Sequence, residues 1–198
     1  YWLAGMTPFD AIGHAFSTVA IGGFSTHDGS IGHFDSVGIE LVAIIFMLIA
    51  GMNFSLHFVA WHSRRVRHYL ADPEWRTYLG FVGIIAVIIS LALIEQDVYG
   101  VSDSIRKGFF QSVSIATTTG FSTDNFSVWP TFLPFLLLMS AFIGACGGSA
   151  GGGIKVIRVL LLYKQGVREI MRLIHPNAVI PIKLGRKPVG SRVVEAVW

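Results

Sequence analysis

Two short segments of the chain combine glycine, hydroxyl side chains and an aromatic residue in an order suited to binding a dehydrated cation. The residues GFST occur at 23–26 and again at 120–123, 97 positions apart. Glycine adopts backbone angles that other residues avoid, so a strip that contains it can turn successive carbonyl oxygens in one direction. Rings of such carbonyls replace the hydration shell of potassium in channels that carry the signature TVGYG.

Three residues in each copy would supply these carbonyls. Segment 118–122, TTGFS, shares with the signature a threonine, the first glycine and an aromatic residue, and segment 21–25, IGGFS, keeps the glycine and the aromatic residue. For either copy taken alone, an ordinary glycine turn in an extracellular loop is the alternative. The candidate potassium-binding residues are Ile21, Gly22, Gly23, Thr118, Thr119 and Gly120.

A short helix is expected before the first strip, which we place at 19–25. Thr7 is a good N-cap, Pro8 suits the first helical position, and Asp10 lies at the capping-box position. These residues predict a helix over about 8–18, which is too short to span a membrane. Its C-terminal end would carry about half a negative charge, so a cation at the strip would be stabilised.

The second copy has the same order of elements. Ser102 or Asp103 would cap a helix over 103–116, and the second strip follows at 117–122. Non-helical backbone at membrane depth occurs only where protein buries it or where it lines a wet cavity. Two copies in the same context therefore favour re-entrant hairpins over ordinary turns.

Composition indicates the medium that surrounds these hairpins. The 198 residues are 53% hydrophobic and 14% charged, with a mean hydropathy of +0.61, whereas an ordinary soluble domain is about 25% charged. Three apolar stretches, at 37–61, 77–94 and 128–146, are each close to or above the roughly 20 residues that cross a bilayer. The predicted fold class is an all-α integral membrane protein.

The elements form a repeated unit of span, short helix, strip and span, as in potassium channels. Residues 1–61 would be a partial unit that ends in the first apolar stretch, and 62–76 would be a cytoplasmic loop. A complete unit would occupy 77–172, with its first span at 77–95. Residues 173–198 would be a cytoplasmic linker into a further span. The chain opens on YWLAGM and closes on SRVVEAVW, and both ends are expected to belong to spans of a longer protein.

The charges predict how the connections are oriented. Basic residues cluster at 62–76 and beyond about 160, whereas acidic residues cluster at 95–129. By the positive-inside rule, the basic segments lie in the cytoplasm and the acidic segment faces outward. The net charge of +3 is therefore interpreted as a topology signal, and a nucleic-acid partner is not expected. The basic tail is suited to contacting lipid headgroups.

A glycine-rich segment interrupts the last span, which is predicted over 128–172. The segment GACGGSAGGGIK at 144–155 holds six glycines in twelve residues, and each costs a helix up to about 1 kcal/mol relative to alanine. We therefore predict a broken helix with a mobile loop at 144–154, just inside the strips. Close helix packing through small residues is the alternative. The candidate gating residues are Gly147, Gly148, Ser149, Gly151, Gly152, Gly153 and Lys155.

Other chemistry fits this segment less well. It has the first spacing of the phosphate-loop pattern GxxxxGK[ST], but Ile154 follows the last glycine and Val156 takes the hydroxyl position. Ser149 lies in GGSA and not in the G-x-S-G of an intramembrane serine protease. Lys155 would either repel a cation in a closed state or anchor the loop to carbonyls. No nucleophile has an evident base and no cluster has zinc-like spacing, so the chain is not predicted to be an enzyme.

Three segments, DAIGHAFSTVAIGGFST, SIATTTGFSTDNF and GACGGSAGGGIKVIR, resemble the membrane subunit of Trk-type potassium uptake systems (TrkH and its Ktr relatives, in the Trk/Ktr/HKT superfamily). In that family four units surround one pore, so the resemblance implies that this chain holds the second unit without its first span, the third unit, and the lead-in to the fourth. The filter glycine of each unit would be Gly23 or Gly120.

The resemblance also implies a function and partners. The expected activity is potassium uptake across the bacterial inner membrane by a multi-pass protein, through a carbonyl-lined filter that the glycine-rich loop gates. Potassium would be the only bound metal ion, and no organic cofactor is expected. The expected partners are membrane lipid, a second copy in a homodimer, and a cytosolic nucleotide-binding regulatory subunit similar to TrkA.

The main alternative is a secondary ion-coupled transporter whose re-entrant loops bind ion and substrate at the membrane midplane. Such folds often contain inverted repeats, whereas here an even number of spans separates the two GFST copies and places both on one face. His14 and Gln111 occupy matching positions in the two short helices and are expected to make packing hydrogen bonds. Asn53, Ser55 and His57 would line an inner cavity or make interhelical hydrogen bonds.

Overall fold

The computed structural model of the chain describes residues 1–190 except Thr131, Asn177, Val179 and Arg186. The predicted span start at 191–198 lies outside the described residues.

The described part of the chain is almost entirely helical. Its α-helices are α1 (Pro8–Val19), α2 (Val37–Ala50), α3 (Phe54–Ser63), α4 (Arg67–Ala71), α5 (Pro73–Glu95), α6 (Val101–Ala116), α7 (Phe132–Ile143) and α8 (Val156–Ile174). Short 3-10 turns occupy Trp2–Ala4, Ser30–Phe34 and Phe126–Val128. A two-residue antiparallel pair, β1 (Lys183–Leu184) with β2 (Lys187–Pro188), lies in the basic tail and was not predicted.

The two short helices before the strips begin differently. The Thr7 hydroxyl accepts the N–H of Asp10 at 3.2 Å, so α1 begins with the expected cap. Helix α6 begins at Val101 after Gly100, and neither Ser102 nor Asp103 caps it. The ring of Pro8 disfavours helical geometry in the residue before it, and α6 has no proline at the matching position, so it extends further toward its N-terminus.

The span predicted over 37–61 is divided by a bend of 92° between α2 and α3. The side chain of Asn53 accepts the N–H of Ser55 at 2.8 Å and so caps a new helix, a role that asparagine fills well. At Gly51 a Cβ would overlap the hydroxyl of Tyr78 from α5, so the chain passes too close for any side chain. The stretch predicted as a single span therefore forms two helices, which make either a broken span or a re-entrant loop.

Helix α5 has the properties of a membrane span. It is 23 residues long, and among the described residues it is the one continuous helix that is both long and apolar enough to cross a bilayer. One face packs inside the protein and the other is exposed and also apolar, as in a helix between protein and hydrocarbon. The buried face includes Tyr78, Val82, Ile85, Ile89 and Leu93, and the exposed face includes Ile84, Val87, Ile88 and Leu91.

The stretch predicted over 128–172 as a broken helix contains two helices, α7 and α8, on either side of the glycine-rich segment. Helix α7 has 12 residues, which at 1.5 Å per residue is about 18 Å, shorter than the hydrocarbon core of about 30 Å. The described residues contain one helix long and apolar enough to cross a membrane, or two if α2 and α3 form a single broken span. The bend between α2 and α3 and the short length of α7 together account for the difference from the three apolar stretches of the sequence analysis.

Helix α6 packs against α2, α5 and α7, and α1 packs on α2. Helix α5 packs on α6, and α7 contacts both. An ion pair joins α6 to α2: Arg106 donates two hydrogen bonds of 2.8 Å to the carboxylate of Glu40 and a third of 2.9 Å to Asp35. The Glu40 side chain is only 4% exposed, so this two-point contact fixes α6 against α2.

Candidate functional site

Both short helices end in the same hydrogen-bonded turn. After α1, the N–H of Gly22 donates to the carbonyl of Ser17 at 2.8 Å, and the N–H of Ile21 donates to that of Thr18 at 3.1 Å. The equivalent pairs after α6 are Thr119 with Ser114, at 2.8 Å, and Thr118 with Ile115, at 2.9 Å. This is the Schellman arrangement, in which the residue after the cap is left-handed and is usually glycine.

The left-handed residues repeat at matching positions in the two strips. They are Ile21 (φ 53°) and Gly23 (φ 68°) in the first strip, and Thr118 (φ 65°) and Gly120 (φ 89°) in the second. A β-branched residue with positive φ is an outlier that persists only where its surroundings hold it. The two strips therefore share the same alternation of left-handed residues.

The two strips lie against each other. A Cβ on Gly23 would overlap the carbonyl oxygen of Thr119 and would stand 3.1 Å from the carbonyl carbon of Gly120. Glycine is therefore required at position 23 both for its φ angle and for this close approach. At Gly120 a Cβ would meet nothing within 4 Å, so the positive φ is the requirement there. The structure thus brings Gly23 of the first strip against Thr119 and Gly120 of the second.

Of the buried polar side chains next to the strips, Ser114 and His14 form hydrogen bonds to strip residues, whereas Gln111 does not. The hydroxyl of Ser114 donates to the carbonyl of Phe121 at 2.6 Å, and the Phe121 ring stacks on His14 with centroids 5.8 Å apart. The Nε2 atom of His14 lies 2.9 Å from the Ser25 hydroxyl, so His14 makes the packing hydrogen bond expected of it. Gln111 is 1% exposed, and its amide has no hydrogen-bond partner in the described part of the chain, contrary to expectation.

The segments beyond the two strips are also joined. The N–H of Gly32 donates to the carbonyl of Ser122 at 3.0 Å, and the N–H of Ser122 donates to the hydroxyl of Ser30 at 3.2 Å. A Cβ on Gly32 would stand 2.6 Å from the carbonyl oxygen of Thr123. The outer ends of the strips therefore belong to one packed surface.

The glycine-rich loop, 144–155, leaves α7 and returns to its starting point before α8. Three backbone hydrogen bonds close its neck, joining Ile154 to Phe142, Lys155 to Ile143 and Val156 to Ala145 at 2.8, 2.9 and 3.1 Å. At Gly153 a Cβ would stand 2.7 Å from the Cα of Gly144. Two glycines that face each other thus permit this close neck, which the sequence analysis did not predict.

The loop reaches the inner end of the second strip. The N–H of Gly152 donates to the hydroxyl of Thr118 at 2.6 Å. At Gly151 a Cβ would stand 2.9 Å from the carbonyl oxygen of Thr117. The loop therefore contacts the strip backbone directly and leaves no room for larger side chains at this point.

The loop is held on its other side by the break between α2 and α3. The N–H of Cys146 donates to the carbonyl of Gly51, and the N–H of Phe54 donates to the carbonyl of Gly148, both at 3.0 Å. Asn53 lies in the same contact, because a Cβ on Gly148 would stand 3.2 Å from its amide oxygen. The bend in the first apolar stretch thus forms the seat of the loop.

A buried acid completes this seat. Glu74, in the first turn of α5, is 6% exposed and accepts the N–H of Gly147 at 2.5 Å. Sequence reasoning missed Glu74, because an acid in the first turn of a helix is ordinarily explained by the helix dipole. Nothing in its sequence context connects it with a loop 73 positions away.

Two further candidate residues stabilise the loop from within. The ammonium group of Lys155 donates to the carbonyl of Gly151, which is the kind of contact that the anchoring role considered for Lys155 requires. The hydroxyl of Ser149 donates to the carbonyl of Cys146 at 2.6 Å, which is a structural contact and not that of a nucleophile. His57, in α3, bonds Tyr69 and the Ile49 carbonyl, each at 3.0 Å.

The chemistry that this site offers is that of backbone carbonyls. Within the described residues, no group of three or more His, Cys, Asp or Glu side chains is placed to hold a metal ion. The strips themselves contain no carboxylate, and the C-terminal end of a short helix precedes each of them. Carbonyls and negative helix ends favour a monovalent cation that has shed its water.

Comparison with known proteins gives consistent matches over the whole chain. A family model described as TrkH, cation transport protein, matches residues 2–198. The chain is 55% identical over 198 residues to the Trk system potassium uptake protein TrkH of Halomonas elongata and 56% identical to that of Escherichia coli K12. These relatives are named as transport proteins and not as enzymes, as the sequence analysis expects.

A solved structure supports the same assignment of fold. The crystal structure of the potassium transporter TrkH from Vibrio parahaemolyticus matches with a TM-score of 0.95 and 52% identity, over 100% of this chain and 43% of that chain. The two curated relatives are each covered over 41% of their length. The chain therefore spans about two fifths of the proteins that it matches.

Proposed function

The chain belongs to the TrkH family of cation transport proteins, and we propose that it supplies two of the units that enclose a potassium uptake pathway. One observation carries this proposal: left-handed residues recur at 21 and 23 and again at 118 and 120, in strips that touch each other. The curated relatives are named as potassium uptake proteins, which supports potassium as the ion.

The strips would act as the selectivity filter. Backbone carbonyls of Ile21, Gly22 and Gly23, together with those of Thr118, Thr119 and Gly120, would take the place of water around the ion. Calcium and magnesium are usually bound by carboxylates, which neither strip contains. A carbonyl site without carboxylates is therefore suited to potassium in preference to a divalent ion.

The glycine-rich loop would act as the gate. Its contact with Thr118 at 2.6 Å places it at the end of the second strip where α6 terminates. Its neck is closed by three backbone hydrogen bonds, so the loop can move without separating α7 from α8. We propose that uptake requires the loop to leave the strip, with Gly147, Gly148 and Gly151 to Gly153 giving it the necessary freedom.

The setting of the protein follows from its family. We propose a multi-pass protein of the bacterial inner membrane, with lipid against the exposed apolar face of α5. A homodimer and a cytosolic nucleotide-binding regulatory subunit similar to TrkA are further proposals that rest on the family alone. The name Trk system, printed for the relatives, supports the expectation of additional components.

The proposal can be tested in a graft. Because the chain aligns with the Escherichia coli relative over all 198 residues, it can replace the aligned residues of that protein. The graft would be purified into liposomes, and rubidium uptake would be measured with sodium as competitor. Gly120→Ser should abolish selectivity for rubidium over sodium, because position 120 requires a positive φ.

The matched control is Gly80→Ser. Gly80 lies within α5 and a Cβ there would meet nothing within 4 Å, so the same substitution should leave uptake unchanged. If Gly120→Ser retains both uptake and selectivity at normal protein levels, the strips do not select the ion. A secondary transporter with its site elsewhere would then be the better account.

A further inference from the structure

Two side-chain pairs, each with one carboxylate, occupy matching positions in the two units, with the acid at opposite ends of the pair. In the first, Nε2 of His27 lies 3.3 Å from the Asp10 carboxylate. In the second, Nζ of Lys107 lies 2.6 Å from the Asp124 carboxylate. Asp10 and Lys107 lie 97 positions apart, as do His27 and Asp124. The acid thus belongs to the short helix in one unit and to the segment after GFST in the other.

Each pair connects the N-terminal half of a short helix with the outer end of the strip that follows it. The inner end of each strip is already fixed by the Schellman turn at the helix C-terminus. A strip held at both ends along one helix has a defined length, so its carbonyls have a defined spacing. We call the pairs Asp10–His27 and Lys107–Asp124 the outer clamps.

The first clamp is reinforced by hydroxyl groups. The Asp10 carboxylate accepts the hydroxyl of Thr26 at 2.5 Å and that of Thr7 at 2.6 Å. These hydrogen bonds hold the pKa of Asp10 below its usual range. The His27 ring also stacks on His33 with centroids 3.8 Å apart, so both members of the clamp are fixed by neighbours.

The second clamp is reinforced by an aromatic pair. The hydroxyl of Tyr99 donates to Asp124 at 2.8 Å, and Lys107 lies over the Tyr99 ring, 4.1 Å from its centroid. Burial opposes ionisation of Asp124, but hydrogen bonds from Lys107, Tyr99 and the backbone hold its pKa below the usual range. Trp129 in turn donates to the Tyr99 hydroxyl at 3.1 Å.

We propose that the outer clamps are positioning elements that set the carbonyl spacing of the strips, and hence the ion selectivity, of the pathway proposed above. The reversed polarity is the observation that favours this role over electrostatic attraction of the ion. A fixed charge that attracts cations to the outer mouth would have to be negative in both units on the same element. In both units the same two positions are paired, although the acid lies on different elements. A mechanical connection requires the contact between these positions and does not require a particular charge on either element.

The test exchanges the pair between units in the graft described above. Lys107→Asp places two carboxylates against each other, and adding Asp124→His installs the pair of the first unit in the second. The single variant should lose selectivity for rubidium over sodium by about fivefold, which corresponds to the upper end, about 1 kcal/mol, of what an exposed pair contributes. The double variant should recover most of that loss.

A second reversed pair, Lys107→Asp with Asp124→Lys, should recover selectivity in the same way. It shows whether recovery depends on the reversed pairing itself or on the histidine side chain at position 124. Lys164→Asp is the matched control, because the ammonium group of Lys164 donates to the Lys183 carbonyl in the tail, away from both strips. Protein abundance and thermal stability are measured for every variant, since a purely structural role would change these without changing the rubidium-to-sodium ratio.

The outcomes separate this proposal from the one on which it rests. If Lys107→Asp leaves selectivity intact, or if neither double variant recovers it, the clamps do not position the strips through pairing. If Gly120→Ser abolishes selectivity in the same experiment, only the clamp proposal is overturned. If Gly120→Ser has no effect either, the strips themselves are not the selective element.

Discussion

Removing the carboxylate of Glu74 should release the glycine-rich loop, which is the proposed gate. The N–H of Gly147 donates to this buried group at 2.5 Å, and a hydrogen bond to a charged group contributes about 1.5 to 3 kcal/mol. If that contribution is specific to the loop in its present position, Glu74→Ala raises the open fraction by about 10- to 150-fold. Glu74→Gln keeps an oxygen acceptor without the charge, so the increase should be about fivefold.

The assay is basal rubidium uptake by the graft in liposomes without any regulatory subunit. Asp72→Ala is the matched control, because Asp72 caps the same helix by accepting the N–H of Trp75 at 2.8 Å and does not bond the loop. Its loss should lower the stability of α5 by about 1 kcal/mol and leave basal uptake unchanged. The reasoning is refuted if Glu74→Ala leaves uptake at the wild-type level, or if Asp72→Ala raises it equally.

Two other predictions concern the contribution to stability of charged residues away from the glycine-rich loop. Glu40→Gln should lower the free energy of unfolding by about 2 kcal/mol, less than the roughly 3–5 kcal/mol of a fully buried pair, because Arg106 keeps its bond to Asp35. Asp35→Asn changes a side chain that is 86% exposed and should lower the free energy of unfolding by less than about 0.5 kcal/mol. Thermal unfolding in detergent that ranks the two variants in the reverse order would contradict this reasoning. Because the pKa of Asp124 is lowered in the folded protein, its contribution to stability is complete above the unfolded value of about 3.9 and is lost as the pH falls further. Between about pH 7 and pH 3, the fall in thermal unfolding temperature should be smaller for Asp124→Asn than for wild type. Equal falls would show that Asp124 does not contribute to the loss of stability in acid.

Local signals explain which elements could be predicted. The start of α1 follows from Thr7 and Pro8, whose preferences depend only on their neighbours in sequence. The position of the glycine-rich loop follows from composition, because six glycines oppose a continuous helix whatever surrounds them. The presence of two strips follows from their identical GFST segments.

Features that depend on distant contacts could not be predicted. Ile21 and Thr118 are left-handed, although β-branched residues avoid this region, because the Schellman turns and the neighbouring strip hold them there. The role of Glu74 depends on a contact across 73 positions. The bend at Gly51 and Asn53 had a local signal, glycine followed closely by asparagine, but the long apolar run around it favoured a single helix.

The closed neck of the glycine-rich loop has a mechanical consequence. Tension applied along α8 can pass to α7 through the three hydrogen bonds at 142–145 and 154–156. The loop between these hydrogen bonds does not carry this tension, because the neck connects α7 and α8 directly. Tension on α8 would therefore reach the loop only after the neck had broken, whereas a sideways shift of α3, which bonds Gly148 directly, would reach it at once.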